Sequence, residues 1–152
     1  MREMGESLMP KAYVDGSYNI NTKRFGYGVV LFTDRVGEDG EPEIIKLSKG
    51  FDEPELAEMR NVAGEIMGSA QAMKSAAARG LKELVIYHDY EGIAKWCTGE
   101  WKAKKKWTQK YKAFYEEVSK QIQISFIKVE AHSGDVYNDL ADQLAKEAVG
   151  NV

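Results

Sequence analysis

Hydrophobic and polar positions mark three strand-like runs in quick succession early in the chain, the first of them alternating with a period of two. Lys11 to Ser17 puts Ala12 and Val14 on one face and Tyr13 and Asp15 on the other. Arg24 to Thr33, after a loop at Asn19 to Asn21, is rich in aromatic and β-branched residues. Glu43 to Phe51 follows a polar turn, Asp34 to Pro42, that carries Asp39-Gly40. Connections this short predict an antiparallel meander. The period then changes. Val62, Ile66, Ala70, Met73 and Ala77 step by three or four, a helix from about Asn61 to Arg79 that stops at Gly80. Two starts are open for it: Pro54 in a first turn, or Asn61 as a cap. Leu81 to Asp89 reads as a strand, about Glu91 to Cys97 and Lys104 to Lys120 as helices, and Ile122 to Glu130 as a strand. A last helix, about Tyr137 to Val149, stacks Leu140, Leu144 and Ala148 on one side. The order βββ-α-β-α-α-β-α predicts an α/β fold, a five-stranded mixed sheet with an antiparallel half and crossover helices. Residues 1–10 form a polar lead and 11–149 one domain.

Four acids stand at structurally awkward places. Asp15 follows Ala-Tyr-Val inside a strand, where Asp is disfavoured, and the adjacent Gly16 lets a ligand approach the backbone or makes a turn. Glu65 sits early in a helix between Gly64 and Ile66, either a solvated acid near the helix dipole or a ligand. Asp89 ends a strand, where crossover sheets gather their ligands and where helices also take their caps. Asp142 lies in the last helix, four residues before Lys146, spacing that suits an ordinary ion pair. Singly, each acid has such a bland alternative. Together, four carboxylates from four elements would repel if buried side by side, and such a cluster persists only with cations. All-oxygen ligands suit Mg²⁺ or Mn²⁺ better than zinc. Two such ions about 3.5–4 Å apart are the apparatus of phosphodiester hydrolysis.

Val14-Asp15-Gly16-Ser17, Gly64-Glu65, Tyr87-His88-Asp89, and His132 ten positions before Asp142 in HSGDVYNDLADQLAKEA resemble ribonuclease H type 1 from about Lys11 to Val149. The resemblance implies an endonuclease that cleaves the RNA strand of RNA–DNA hybrids with two Mg²⁺ ions, leaving 5′-phosphate and 3′-hydroxyl ends. It implies Asp15 as the carboxylate shared by both ions and Asp89 and Asp142 as ligands of one each. Glu65 would bind metal and sense the RNA 2′-hydroxyl, and His132 would assist proton transfer or product release. Asn61 matches an asparagine used on the hybrid's minor groove. Asn19 and Asn138 are further substrate candidates, and His88 reads as packing. Tyr90 and Glu91 stand where the family usually has Ser after the third carboxylate, and Arg60, Val62 and Ala63 replace more polar residues. The pattern RNVAGE resembles a branch of bacterial type 1 enzymes, some of which carry an extra N-terminal hybrid-binding domain; with about ten residues before the first strand, that domain is not expected here. Rival readings are another nuclease or integrase of the same fold, or a catalytically silent hybrid-binding module.

Net charge qualifies that picture. At −3, with 21 Lys+Arg against 24 Asp+Glu, the chain is a poor candidate for holding polyanions. Its distribution reverses the inference. Seven lysines stand against one acid, Glu100, between Ala94 and Lys112, interleaved with Trp96, Trp101, Trp107 and Tyr111. Lysines for phosphates and aromatic faces for sugars and bases suit a groove along a nucleic-acid strand, although a lysine run is also an ordinary solvated face. Trp101, Lys102, Lys104, Lys105 and Lys106 are expected near the DNA strand. The single cysteine, Cys97, excludes an internal disulfide and a Cys-cluster metal site and fits a reducing compartment. No apolar run approaches the roughly 20 residues of a membrane span and no signal-peptide core opens the chain. The expectation is a cytoplasmic monomer that needs no protein partner and no membrane.

Overall fold

A computed structural model describes residues 9–130 and 135–151. The early strand-like runs become three strands: β1 (Lys11–Tyr18), β2 (Phe25–Val36) and β3 (Pro42–Phe51). They pair antiparallel in sequence order. The chain then forms α1 (Pro54–Ala57), α2 (Asn61–Ala78), β4 (Glu83–His88), α3 (Gly92–Thr98), α4 (Lys106–Val118), β5 (Gln123–Lys128) and α5 (Val136–Val149). Strand order is β3-β2-β1-β4-β5, with β4 parallel to both β1 and β5.

The alternation in β1 is realised as two cores. Ala12 and Val14 face a layer built from α2, α3 and α4, including Met73, Ile93 and Tyr111. Tyr13 turns the other way, with Val30 and Phe32, against Ala141 of α5. The sheet is therefore sandwiched, and its strand ends are reached from both sides.

Several boundaries differ from the sequence pattern. β2 runs on to Val36 across a register shift after Phe32, so the polar turn is confined to the residues around Gly40. Both candidate starts of the long helix are used, because α1 opens at Pro54 and α2 at Asn61. Between them Arg60 takes φ 55°, ψ −130°, and breaks the two helices apart. Asn61 is thus the first residue of α2, with Arg60 in the capping position. The face of α5 also needs correction. Its buried line is Asn138, Ala141, Ala145 and Val149, and the bulkier Leu140 and Leu144 pack beside it. The reason lies in the sheet, where Gly28 of β2 would direct a Cβ onto the backbone of Ala141 and Ala145. Only small residues on α5 and glycine on β2 let helix and strand approach this closely.

Candidate active site

Pairing between β1 and β4 stops at Tyr13 with Tyr87, whose rings stack at 4.7 Å. Asp15 and Asp89 each lie two residues beyond that last pair, so strand periodicity turns both toward the gap where the strands part. Glu65 arrives from α2. Its approach depends on Gly16, whose missing Cβ would stand 2.5 Å from the Glu65 nitrogen and 3.0 Å from the Gly64 carbonyl carbon. Gly64 in turn lies against the backbone of Gly26. Backbone-to-backbone contact of α2 with β1 and β2 carries a fully buried glutamate to the strand ends.

One carboxylate oxygen from each of Asp15, Glu65 and Asp89 falls within 4.8 Å of the other two. At that spacing each pair of full charges repels by about 3 kcal/mol, taking an effective dielectric of about 20. The protonation of the site shows it. Burial, then the Asp89 carboxylate and in smaller part Asp142, push the Asp15 pKa from 3.8 up to about 8, against the opposing hydrogen bond from its neighbour's backbone. Burial, then Asp89 and Asp15, hold Glu65 well above its ordinary value. Asp15 Oδ1 accepts the Gly16 N–H at 2.9 Å. Glu65 Oε1 accepts the N–H groups of Asp89 at 3.3 Å and Tyr90 at 3.2 Å. Glu65 Oε2 is buried with no hydrogen-bond partner. A buried, unpartnered carboxylate oxygen within a like-charged trio is the donor set a hard divalent cation requires.

Asp142 stands beside this trio, outside its 4.8 Å group. It lines one cavity of about 170 Å³ with Asp15, Gly16, Asn61, Asp89, Asn138 and Asp139. Its Oδ2 also meets Lys146 Nζ at 3.0 Å, so the helical ion pair and the place at the site coexist. Asn138 is buried there with its Oδ1 unpartnered. The sequence pattern does not single out Asp139, although it stands three residues before Asp142 and so shares its helix face. The amides that hold Glu65 carry no side-chain signal at all.

The remaining expectations separate. Asn61 is exposed at the rim of the cavity. Asn19 is buried; its Oδ1 accepts from Asn21 and Thr22 and its Nδ2 donates to Val149 O. It ties a turn to the end of α5. His88 is buried. His132 lies outside the described residues. Trp101 packs edge-on against Tyr90 and Trp96, and Gly92 leaves room for all three rings. Lys102, Lys104 and Lys105 line a second cavity of about 330 Å³ with Tyr90, Trp96 and Thr108. Lys106 turns away from it, toward Glu55 at 3.6 Å and over the Trp107 ring.

Compared with known families, residues 10–150 match the model of RNase H. The chain belongs to the RNase H family. A ribonuclease H of Wolbachia pipientis wMel is 40% identical over 62 residues, 39% of this chain and 43% of that protein. The chain thus aligns with less than half the length of that curated relative. Among solved structures, RNase H1 from the archaeon Halobacterium salinarum NRC-1 superposes with a TM-score of 0.73 at 22% identity, covering 94% of this chain and 98% of that one. LC11-RNase H1, solved in complex with an RNA/DNA hybrid, gives 0.71 at 20% identity over 93% and 96%. These likenesses establish the RNase H fold, with its mixed five-stranded sheet and flanking helices. Among the described residues, no helix is long and apolar enough to cross a membrane.

Proposed function

We propose that this RNase H family chain is an endonuclease that hydrolyses the RNA strand of RNA–DNA hybrids, leaving 5′-phosphate and 3′-hydroxyl ends. The observation that carries the reading is the carboxylate trio at the parting strand ends, with Glu65 Oε2 buried and unpartnered. A module that only bound hybrids would gain nothing from this repulsion.

Two Mg²⁺ ions, or Mn²⁺ in their place, would supply an activated water and neutralise charge on the leaving oxygen. Asp15, Asp89 and Asp142 would hold the ions, with Asp15 shared between them and Asp89 and Asp142 each serving one. Glu65, whose Oε2 is buried without a partner, would bind metal and sense the 2′-hydroxyl of the RNA. Burial and the neighbouring carboxylates raise the pKa values of Asp15 and Glu65, so metal binding would be accompanied by proton release. Asn61 and Asn138 line the same cavity and would bind the minor-groove side of the hybrid. His132 would assist proton transfer or product release. Lys102, Lys104 and Lys105, beside the aromatic group of Tyr90, Trp96 and Trp101, form the surface for the DNA strand. The protein acts as a cytoplasmic monomer without a protein partner.

The test is incubation with an end-labelled RNA–DNA hybrid in Mg²⁺ or in EDTA. Metal-dependent cuts in the RNA strand alone are expected. Binding without cutting would indicate a silent module, and cutting of single-stranded RNA or duplex DNA would indicate another nuclease of this fold.

A further inference from the structure

Asp89 lies beyond the last residue of β4, in a turn that no sheet hydrogen bond restrains. Something else must hold it. The residue before it, His88, is the end of β4 and is anchored by β5, in register with Lys128 and with its carbonyl accepting the Val129 N–H at 2.7 Å. The His88 ring is 1% exposed and packs edge-on against Phe126. Its Nδ1 lies 3.0 Å from the carbonyl oxygen of Tyr90. A carbonyl only accepts, so Nδ1 carries the proton and Nε2 is the bare nitrogen. That Nε2 is buried with no partner.

This arrangement is poor packing chemistry. An apolar side chain of similar volume would fill the space without burying an unpaired nitrogen. What the imidazole adds is the Nδ1–H donor, which closes a bracket from His88 to Tyr90 around Asp89. On the other side of the same turn, the Asp89 and Tyr90 N–H groups hold Glu65 Oε1. Two carboxylates of the trio therefore depend on the path of three residues, which the His88 ring braces from a rigid post beside the Ile93 N–H that also donates to the Tyr90 carbonyl at 3.1 Å. The ring is buried and nothing partners Nε2, surroundings that suit a neutral imidazole with one donor.

We propose that His88 is a positioning residue of the metal site, whose Nδ1–H fixes the Asp89–Tyr90 turn so that Asp89 and Glu65 present their oxygens together. The role rests on the reading of the trio as a cation site, and it goes beyond that reading because His88 touches neither ion nor substrate. It acts as the outer hydrogen bonds of metal centres do, whose loss lowers metal affinity about 10- to 100-fold.

The experiment compares wild type, His88→Asn and His88→Leu as full chains. Asn places an amide donor near the Nδ1 position, whereas Leu keeps the bulk and removes the donor. Mn²⁺ affinity is measured by calorimetry on the metal-free proteins, and kcat and KM on hybrid are measured beside it. His88→Leu is expected to bind Mn²⁺ about tenfold or more weakly and to lose kcat with KM little changed. His88→Asn is expected to recover most of both. A Leu variant that binds as wild type does overturns the role, and so does an Asn variant as impaired as Leu. Nitrogen chemical shifts of the wild-type His88 ring give a measurement free of any folding defect. A protonated Nδ1 with bare Nε2 is expected, and the opposite tautomer overturns the proposal. Wild-type protein that takes up no Mn²⁺ overturns the metal reading itself, an outcome distinct from a failure of His88 alone.

Discussion

Substitution of Gly16 by Ala tests how the site is assembled. The new Cβ would stand 2.5 Å from Glu65 N and 3.0 Å from Gly64 C, and closer still to the Asn61 carbonyl. Non-bonded heavy atoms rest at about 3.5–4.0 Å. Every atom in the way is backbone, so no side chain can swing aside, and α2 must retreat from β1 by about 1 Å. Overpacking of this kind costs about 1–3 kcal/mol of stability. The functional cost comes on top of this, because α2 carries both Asn61 and Glu65. Misplacing a reacting constellation by about 1 Å lowers turnover about 100-fold. Gly80→Ala is the matched control. It forces alanine into φ +73° at the end of α2, with no atom within 4 Å of its Cβ. It should cost about 1–2 kcal/mol from left-handed strain alone and leave turnover intact. Melting temperature and kcat on labelled hybrid are measured for both variants, well below their melting points. Equal turnover in the two, at similar stability, would refute the claim that backbone contact at Gly16 positions Glu65.

Two further outcomes follow from charge. In EDTA, folded Asp15 keeps its proton until about pH 8 whereas the unfolded chain releases it near 3.8. Between those values the folded state binds more protons, so this contribution to stability is present at low pH and is lost as pH rises. Asp15→Asn removes it, so the melting temperature of the variant should gain on wild type as pH rises from about 5 to about 8, while metal-dependent cleavage is abolished. A gap that stays constant with pH would contradict the raised pKa that burial and the neighbouring carboxylates give Asp15. Replacing Lys102, Lys104 and Lys105 together by Ala should raise KM with kcat preserved. It should also flatten the salt dependence of KM by about one log–log unit for each phosphate no longer neutralised. An unchanged salt slope would remove these lysines from the interface.

The order of elements is legible along the chain because each has a local cause: alternation in β1, a three-to-four step in α2, glycine at the ends of α2, α3 and α5. The four acids are legible by type and element, since an Asp inside β1 or at the end of β4 has few structural reasons to be there. Burial between layers is not legible. The pattern favours Leu140 and Leu144 for the face of α5, but the glycines of β2 bring the helix in so close that Ala141 and Ala145 lie innermost. The pattern also offers Asn61 as a helix cap; Arg60 at positive φ takes that position instead. The distances among Asp15, Glu65 and Asp89, the bare oxygen of Glu65 and the bracket from His88 to Tyr90 exist only after distant segments meet. Local sequence sets the period and the ends of each element through backbone sterics and side-chain spacing. Packing alone sets how near two elements come, and the chemistry of this site depends on that nearness.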